Sequence, residues 1–262
     1  MMPEVGVQVV IQARMGSTRL PGKVLLDLGG RPIIGQVVRR AKVISRVERV
    51  VVATSESPAD DAIAQWCQKE QIPCCRGSAE DVLSRFLTTL REWPARQIMR
   101  LTADCPLHDP GMLDALIDLH LQGRFDYSSN LHPPTFPHGL DAEMVTRQAL
   151  EMAGQESTAS SHREHVTLFI REHASRFRFG NLQFGRDVSR YRLTIDRPED
   201  YQFLQAFMSR VADPDSIPGL YEILRLLERF PELTEINGDL KRYEWKEKIQ
   251  ETEGRKVKLG SG

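Results

Sequence analysis

The segment VQVVIQARMGSTRLPGKV, residues 7–24, decides the fold of this 262-residue chain because it joins an apolar strand to a polar loop. Residues 7–11 show no polar alternation, as expected of a strand that is buried on both faces. The loop combines cations, glycines and hydroxyl groups: Arg14, Arg19, Lys23, Gly16, Gly22, Ser17 and Thr18. Backbone amides at glycines approach an anion closely, and nearby cations neutralise it. The segment therefore predicts a phosphate-binding loop after the first strand.

This loop differs from two common phosphate-binding motifs. A Walker A loop has four residues between its first glycine and a Gly-Lys pair, which is followed by Ser or Thr. Here five residues separate Gly16 from Gly22, and Val24 stands at the hydroxyl position. No G-x-G-x-x-G sequence follows the strand, which argues against a dinucleotide site. The remaining alternative is a solvated basic loop, and the coincidence of strand end, glycines and cations disfavours it.

Strand and helix patterns alternate over the first 120 residues. The predicted strands cover residues 7–11, 49–54, 72–76 and 97–102. The predicted helices begin near Pro32, Ser57, Ser78 with Asp81, and Asp109. This alternation is typical of an α/β fold with a mostly parallel, Rossmann-like sheet and helices on both faces. Ligands bind at the carboxyl ends of the strands in such sheets, where the loop lies.

The pattern changes after residue 125. Residues 126–144 are rich in Pro, Gly and His and lack a helical period, so we predict that 126–185 is an insertion in a single domain of residues 1–240. Later patterns predict helices over 160–174 and 197–210, and strands over 177–184 and 190–195. Residues 241–262 are charged and mixed, and they predict a solvated tail.

Two aspartates follow predicted strands and provide an acidic counterpart to the loop. Asp104 ends MRLTAD and Asp196 ends YRLTID, and each precedes a proline by two residues. Mg²⁺ bound with a nucleotide uses one or two carboxylates together with substrate phosphates. Either aspartate alone is equally well read as a helix N-cap. Because the pattern occurs twice at the same sheet edge, we predict a shared metal site.

Composition excludes several classes of protein. Thirty-five Lys and Arg stand against 36 Asp and Glu, and this net charge of −1 argues against general nucleic-acid binding while still permitting a small anionic ligand. No apolar run approaches the length of about 18 residues that a membrane span needs, and the N-terminus lacks a signal pattern. The four cysteines show no C-x-x-C spacing, which predicts reduced cysteines in a cytoplasmic protein.

The segment QARMGSTRLPGKVLLDLGGRPII, residues 12–34, resembles the signature of the cytidylyltransferases that activate sugar acids as CMP-sugars, including the CMP-Kdo and CMP-acylneuraminate synthetases. The spore coat polysaccharide biosynthesis protein F branch is the most similar in its motifs. These are QARMGSTRLPGK, RLTADCPL, GLDAE, REHVT and LTIDRPEDYQF. The resemblance covers residues 7–207 and is carried most specifically by the first motif.

The resemblance implies a GT-A-like nucleotidyltransferase sheet and a homodimer formed largely through the middle segment. It implies that CTP is bound by Ala13, Arg14, Gly16, Ser17, Arg19 and Lys23, and that Asp104 and Asp196 hold Mg²⁺. Arg14, Lys23, Asp104 and Asp196 would be the catalytic residues, as an acceptor oxygen attacks the α-phosphorus and pyrophosphate leaves. The backbone near Ser78 and Asp81 is a candidate contact for the base.

The acceptor site is less well defined by sequence. If GLDAE lies as in the resembling branch, His138, Asp141 and Glu143 face the acceptor, and a carboxylate there orients its hydroxyl or acts as a base. Arg163 is a further candidate for an anionic acceptor group. His162 and His165 share a face of the predicted helix, although packing is a commoner role for such histidines than metal ligation.

Three functions remain open at this point. The first is CTP-dependent transfer of CMP to a sugar or sugar acid in surface polysaccharide synthesis. The second is a glycosyltransferase on the same type of sheet, which the absence of an Asp-x-Asp motif at Asp104 disfavours. The third is a non-catalytic nucleotide-binding module. The intact set of Arg14, Arg19, Lys23, Asp104 and Asp196 disfavours this third function.

Overall fold

The apolar segment at residues 7–12 forms the central strand of a seven-stranded sheet in this computed structural model, which describes residues 6–240. The sheet order is β3-β2-β1-β4-β6-β5-β7. Its strands are β1 (Val7–Gln12), β2 (Val47–Ser55), β3 (Cys74–Gly77), β4 (Gln97–Thr102), β5 (Tyr127–Ser129), β6 (Glu143–Thr146) and β7 (Phe179–Asn181). Strands β1 to β4 pair in parallel, so their carboxyl ends lie at one edge of the sheet.

Helices cover both faces of the sheet, as the sequence predicts. They are α1 (Ile33–Lys42), α2 (Asp61–Lys69), α3 (Val82–Glu92), α4 (Pro110–Gln122), α5 (Arg147–Glu156), α6 (Ser160–Glu164), α7 (Leu168–Glu172), α8 (Pro198–Met208) and α9 (Leu220–Arg229). One core layer includes side chains of α1, α4, α8 and α9, and the other includes side chains of α3, α5 and α7. Val9 and Val10 of β1 belong to opposite layers, so this strand is buried on both faces. No helix within 6–240 is both long enough and apolar enough to traverse a bilayer.

The helix starts follow the sequence with one exception. Asp81 caps α3 by accepting a hydrogen bond from the Ser84 amide at 2.8 Å, and Asp109 caps α4. Ser57, predicted as a cap, makes no capping bond, because a 3₁₀ turn at Pro58–Asp60 precedes α2. The carboxylate of Asp60 points toward the first loop instead.

Residues 126–185 contribute three strands to the sheet. β6 is antiparallel to both β4 and β5, whereas β7 is parallel to β5. The single helix predicted over 160–174 is two short helices, because Val166 between them takes a positive φ of 53°. The strand predicted over 177–184 is confined to β7.

The strand predicted over 190–195 is wrong. This segment is extended, but its backbone bonds to loops rather than to a neighbouring strand. The Leu193 amide donates to the His138 carbonyl, and the Ile195 amide donates to the Asp104 carbonyl at 2.9 Å. The bond between the Ile195 amide and the Asp104 carbonyl still brings Asp196 beside Asp104, as the sequence predicts. Residues 241–262, the predicted tail, lie outside the described range.

Candidate active site

The first loop follows β1 and lines a cavity at the carboxyl edge of the sheet. Its backbone folds back on itself, with the Gly22 amide donating to the Met15 carbonyl at 3.1 Å. Gly22 has a φ of 70°, a conformation that favours glycine. The cavity has a volume of about 280 Å³, and its lining includes every loop residue predicted to bind nucleotide: Ala13, Arg14, Gly16, Ser17, Arg19 and Lys23.

The carboxylate of Asp60 binds the backbone of this loop. One carboxylate oxygen accepts the Met15 amide at 2.7 Å, and the other accepts both the amide and the hydroxyl of Ser55. The Asp60 side chain is buried, with 2% of the residue exposed. Because three donors converge on one buried carboxylate, the loop is fixed to the end of β2.

Lys23 lies between the two predicted metal ligands. Its ammonium donates to Asp104 Oδ2 at 2.7 Å, to Asp196 Oδ1 at 2.9 Å and to the Ile195 carbonyl. Burial opposes the charge of Lys23, but the two carboxylates outweigh it and raise the pKa of the ammonium. Burial likewise opposes ionisation of Asp104, but Lys23 holds its pKa well below the ordinary value. Lys23 and Asp104 therefore form a charged pair at neutral pH.

Asp196 also contacts a buried ion pair formed by Arg192 and Asp200. Arg192 donates to Asp196 Oδ2 at 3.2 Å and to Asp200 Oδ1 at 2.7 Å. Asp200 is fully buried and also accepts the amides of Asp196 and Arg197. This network fixes the Asp196 backbone and side chain next to Asp104.

Asp104 and Asp196 are suited to hold one divalent cation. Both carboxylates point at a single position, which the Lys23 ammonium occupies as a stand-in cation. No group of three or more His, Cys, Asp or Glu within residues 6–240 is placed to hold a metal. Such a pair of carboxylates fits Mg²⁺, which keeps phosphate and water oxygens as its other ligands.

A second cavity of about 300 Å³ adjoins the first. The two cavities share Arg19, Thr102, Asp104 and Asp196 as lining residues. The remaining wall combines polar and apolar surface and includes several residues from the middle segment, which are Leu131, His132, His138, Asp141, Glu143, His165 and Arg171. The predicted acceptor residues His138, Asp141 and Glu143 are thus brought to the same side of the aspartate pair.

Glu143 anchors the cationic part of this wall. It is 3% exposed, forms an ion pair with Arg100, and accepts the hydroxyls of Tyr127 and Thr167, each at 2.6 Å. Burial opposes ionisation, but Arg100 and Arg171 lower the pKa of Glu143 to about 2. A carboxylate with so low a pKa is a poor base, so Glu143 serves to position Arg100.

His138 and Asp141 form the opposite part of the wall. His138 Nε2 lies 3.7 Å from Asp141 Oδ2, and its Nδ1 lies 3.1 Å from Arg192. The buried His108 contacts the Asp141 carbonyl at 3.0 Å and supports the loop from behind. Asp141 is therefore the carboxylate of this cavity that is best placed to contact an acceptor hydroxyl.

The comparisons with known proteins agree with this geometry. The family model described as Cytidylyltransferase matches residues 8–248. The chain belongs to the cytidylyltransferase family. The α/β fold and the family indicated by residues 12–34 are both confirmed.

Individual relatives cover most of the chain. The spore coat polysaccharide biosynthesis protein SpsF of Bacillus subtilis is 35% identical over 230 residues, which are 85% of this chain and 94% of the relative. A solved cytidylyltransferase structure from Leptospira borgpetersenii superposes with a TM-score of 0.84 at 35% identity, covering 92% of this chain and 100% of that one. A 3-deoxy-manno-octulosonate cytidylyltransferase of Rhizobium johnstonii is 39% identical over 114 residues, which are 43% of this chain and 45% of the relative.

Two predicted groups lie elsewhere in this cytidylyltransferase. Arg163 does not line the second cavity; it pairs with Asp81 at 3.4 Å and donates to the carbonyls of Gly154 and Ser157. Asp81 is thereby engaged as a helix cap and an ion-pair partner, and neither it nor Ser78 lines the two cavities. Their predicted contact with the base stays a prediction.

Other site residues of the cytidylyltransferase were missed by sequence reasoning: Asp60, Arg100, Arg171, Arg192 and Asp200. Arg192 gave a signal, because a cation inside the apolar run RYRLTI requires a buried partner. Arg100 gave the same signal within MRLTAD. Asp60 gave none, since an acid in the first turn of a helix is commonly explained by the helix dipole.

Proposed function

We propose that this cytidylyltransferase transfers CMP from CTP to a sugar-acid acceptor in surface polysaccharide synthesis, with pyrophosphate as the second product. The observation that carries the proposal is the junction of the two cavities at Asp104 and Asp196. A nucleotide in one cavity and an acceptor in the other meet at these carboxylates. The names of SpsF and of the octulosonate cytidylyltransferase relatives support the same acceptor class and pathway.

In this proposal the first cavity holds the triphosphate. Arg14, Arg19 and Lys23 supply positive charge, and backbone amides near Gly16 and Ser17 donate to phosphate oxygens. Asp60 keeps the loop in its shape before the nucleotide arrives, so little conformational entropy is lost on binding. Arg14 and Lys23 then stabilise the charge that develops on the leaving pyrophosphate.

Asp104 and Asp196 are proposed to hold Mg²⁺ that enters with the nucleotide. When bound, the ion supplies charge neutralisation at the phosphate oxygens. The role of the protein is to present two ionised carboxylates at one point, which Lys23 and Arg192 secure. Lys23 bonds to both carboxylates, so in this proposal its ammonium shifts toward the phosphates when the nucleotide and Mg²⁺ bind.

The second cavity is proposed to hold the acceptor. Arg100, positioned by Glu143, and Arg171 bind the carboxylate of a sugar acid, because guanidinium groups pair well with carboxylates. Asp141 accepts the proton of the attacking hydroxyl. The new bond joins that oxygen to the α-phosphorus, the bond from the α-phosphorus to the oxygen bridging it to the β-phosphorus breaks, and pyrophosphate leaves with the electron pair.

The test measures pyrophosphate release with CTP, Mg²⁺ and a panel of acceptors. We expect release with 3-deoxy-ulosonic acids and none with the corresponding neutral sugars, and a product whose mass is acceptor plus CMP less water. Equal release with neutral sugars contradicts the acceptor assignment. Release with UTP but not CTP contradicts the base.

A second test addresses the carboxylate pair. Asp104→Asn should lower turnover at least 100-fold, roughly the loss of one transition-state contact. The protein should stay folded with a melting temperature lower by several degrees, because Lys23 loses one of its two carboxylate partners. The matched control is Asp118→Asn, since Asp118 is an exposed carboxylate on α4 that pairs only with Arg46 among the ion pairs found. Mn²⁺ binding in the presence of CTP, followed by electron paramagnetic resonance, should weaken in the Asp104 variant alone. Unchanged Mn²⁺ binding removes Asp104 from the metal site.

We also propose a cytoplasmic homodimer that assembles through residues 126–185, within a single catalytic domain of residues 1–240. The free cysteines Cys67, Cys74, Cys75 and Cys105 are consistent with a reducing compartment. Light scattering coupled to size exclusion should give twice the 29.8 kDa chain mass. A mass of one chain at micromolar concentration contradicts the dimer.

A further inference from the structure

Arg85 is a buried guanidinium group whose N–H donors find no acceptor within residues 6–240. It stands in α3 and is 1% exposed, yet Nε, Nη1 and Nη2 all lack a hydrogen-bond acceptor. Arg40 is similarly buried but better satisfied: its Nη1 donates to the carbonyls of His108 and Pro218, and of its buried nitrogens only Nε lacks an acceptor among the described residues. A buried charge without acceptors is strongly unfavourable, so such a group calls for a functional explanation.

The position of Arg85 is at the carboxyl edge of the sheet. Its side chain runs past Gly77, the last residue of β3, where an added Cβ would lie 2.9 Å from Arg85 Cγ. Gly77 pairs with Ser55 at the end of β2. Burial lowers the pKa of Arg85, and Arg14 adds to this effect, whereas Asp60, Cys75 and Asp81 oppose it. Two of these charged neighbours, Arg14 and Asp60, belong to the nucleotide loop and its anchor.

Asp60 does not satisfy Arg85. Both of its carboxylate oxygens accept bonds from Met15 and Ser55, and no hydrogen bond joins it to Arg85. Arg85 lines neither cavity in this conformation, and its three N–H-bearing nitrogens lack acceptors beside the end of β3. A ligand that binds beside the loop is the natural source of acceptors.

The strand order indicates which part of the nucleotide lies there. β1 carries the phosphate loop, and β4 on one side of it carries Asp104 and the acceptor cavity. The carboxyl ends of β2 and β3 on the other side remain for the nucleoside. Arg14, Arg19 and Lys23 are proposed to bind the triphosphate. We therefore expect the base, rather than a phosphate group, to lie next to Arg85.

Cytosine offers two adjacent acceptors, O2 and N3, whereas N3 of uracil carries a hydrogen. Two parallel N–H groups of a guanidinium match the first pattern and are opposed by the second. We propose that Arg85 turns outward when the nucleotide binds, donates to O2 and N3 of cytosine, and sets the preference for CTP over UTP. This inference rests on the proposed function and names the residue that reads its nucleotide.

The experiment compares CTP and UTP binding by calorimetry in the wild type, Arg85→Met, Arg85→Lys and Arg40→Met. We expect Arg85→Met to weaken CTP binding roughly 10- to 100-fold, the range for hydrogen bonds from a charged group. UTP binding should change little, so that the ratio of the two affinities collapses. The melting temperature of Arg85→Met should be equal to or higher than that of the wild type, because the substitution removes an unsatisfied buried charge. Arg85→Lys keeps the charge but not the paired donors, so the ratio should fall there too.

Arg40→Met is the matched control, and it should lower the melting temperature while leaving the affinity ratio intact. A lower melting temperature with an unchanged CTP/UTP ratio in both Arg85 variants overturns the inference and makes Arg85 a structural residue. If Arg85→Met does not fold, the ratio measured in Arg85→Lys decides. If the wild type does not bind CTP, the proposed function itself is refuted. If the wild type binds CTP and the Arg85 variants keep its CTP/UTP affinity ratio, only the inference about Arg85 is refuted.

Discussion

Replacing Lys23 with Met removes the cation between Asp104 and Asp196 and leaves a side chain of similar length. The Lys23 side chain is 9% exposed, and each carboxylate side chain is 26% exposed. Breaking a fully buried ion pair costs about 3–5 kcal/mol. Here water reaches the carboxylates, and Asp196 keeps Arg19 and Arg192 as partners. We therefore expect the free energy of unfolding to fall by about 2 kcal/mol at pH 7, below the fully buried range.

The loss should depend on pH in a defined direction. Lys23 holds the pKa of Asp104 below its ordinary value, so the stabilisation is complete above the unfolded pKa of about 3.9 and is lost as the pH falls through the folded value. The difference between wild type and Lys23→Met should thus be constant between about pH 5 and 8 and shrink below about pH 4.

Urea unfolding followed by circular dichroism at pH 7 and pH 3 measures both values, with Lys69→Met as the control. Lys69 is an exposed lysine at the end of α2, and its replacement should have little effect at either pH. A difference below about 0.5 kcal/mol at pH 7, the usual size of a surface effect, refutes the reasoning. An equally large difference at pH 3 also refutes it.

Three further substitutions test other parts of the site and core. Asp60→Asn places an amide N–H group against the N–H donors of Met15 or Ser55. CTP affinity measured by calorimetry should fall roughly tenfold, which corresponds to about 1.4 kcal/mol. Unchanged affinity refutes the anchoring role of Asp60. Glu143→Gln leaves Arg100 without its anion, so KM for the acceptor should rise while KM for CTP stays constant, and an equal rise in both would contradict a separate acceptor cavity. Burial lowers the pKa of His120 to about 4, so protonation of the unfolded state below pH 6.5 should reduce wild-type stability by about 3 kcal/mol down to pH 4. His120→Gln should lose this slope in a pH series of urea unfolding, and retention of the slope would assign it to another group.

The sequence was sufficient to predict that the loop after β1 and the two aspartates lie at one edge of the sheet, because strand direction alone controls where they lie. Parallel strands bring residues that are distant in the chain to one edge, whatever the details of packing. The strand predicted over residues 190–195 is wrong, yet Asp196 lies beside Asp104 as predicted. An extended segment bonded to the Asp104 loop delivers the side chain to the same place as a sheet strand.

The acceptor side was harder to predict because it depends on pairings between loops. Arg163 and Arg171 stand in similar stretches of sequence, yet only Arg171 reaches the second cavity. The positive φ of Val166 ends one short helix and reorients the next, and no turn signal in the sequence marks this residue. Arg163 is then drawn to Asp81, a partner 82 positions away.

The shared boundary of the two cavities has a consequence for how acceptor preference can evolve. Only four of the 14 residues that line the second cavity also line the first. The others include seven positions between 131 and 171, in the segment that joins the parallel half of the sheet to its far edge. Substitutions there change the size and charge of the second cavity without altering a residue that lines the first. One half of the molecule can therefore conserve an activation chemistry while the other half diversifies the sugars that a lineage displays on its surface.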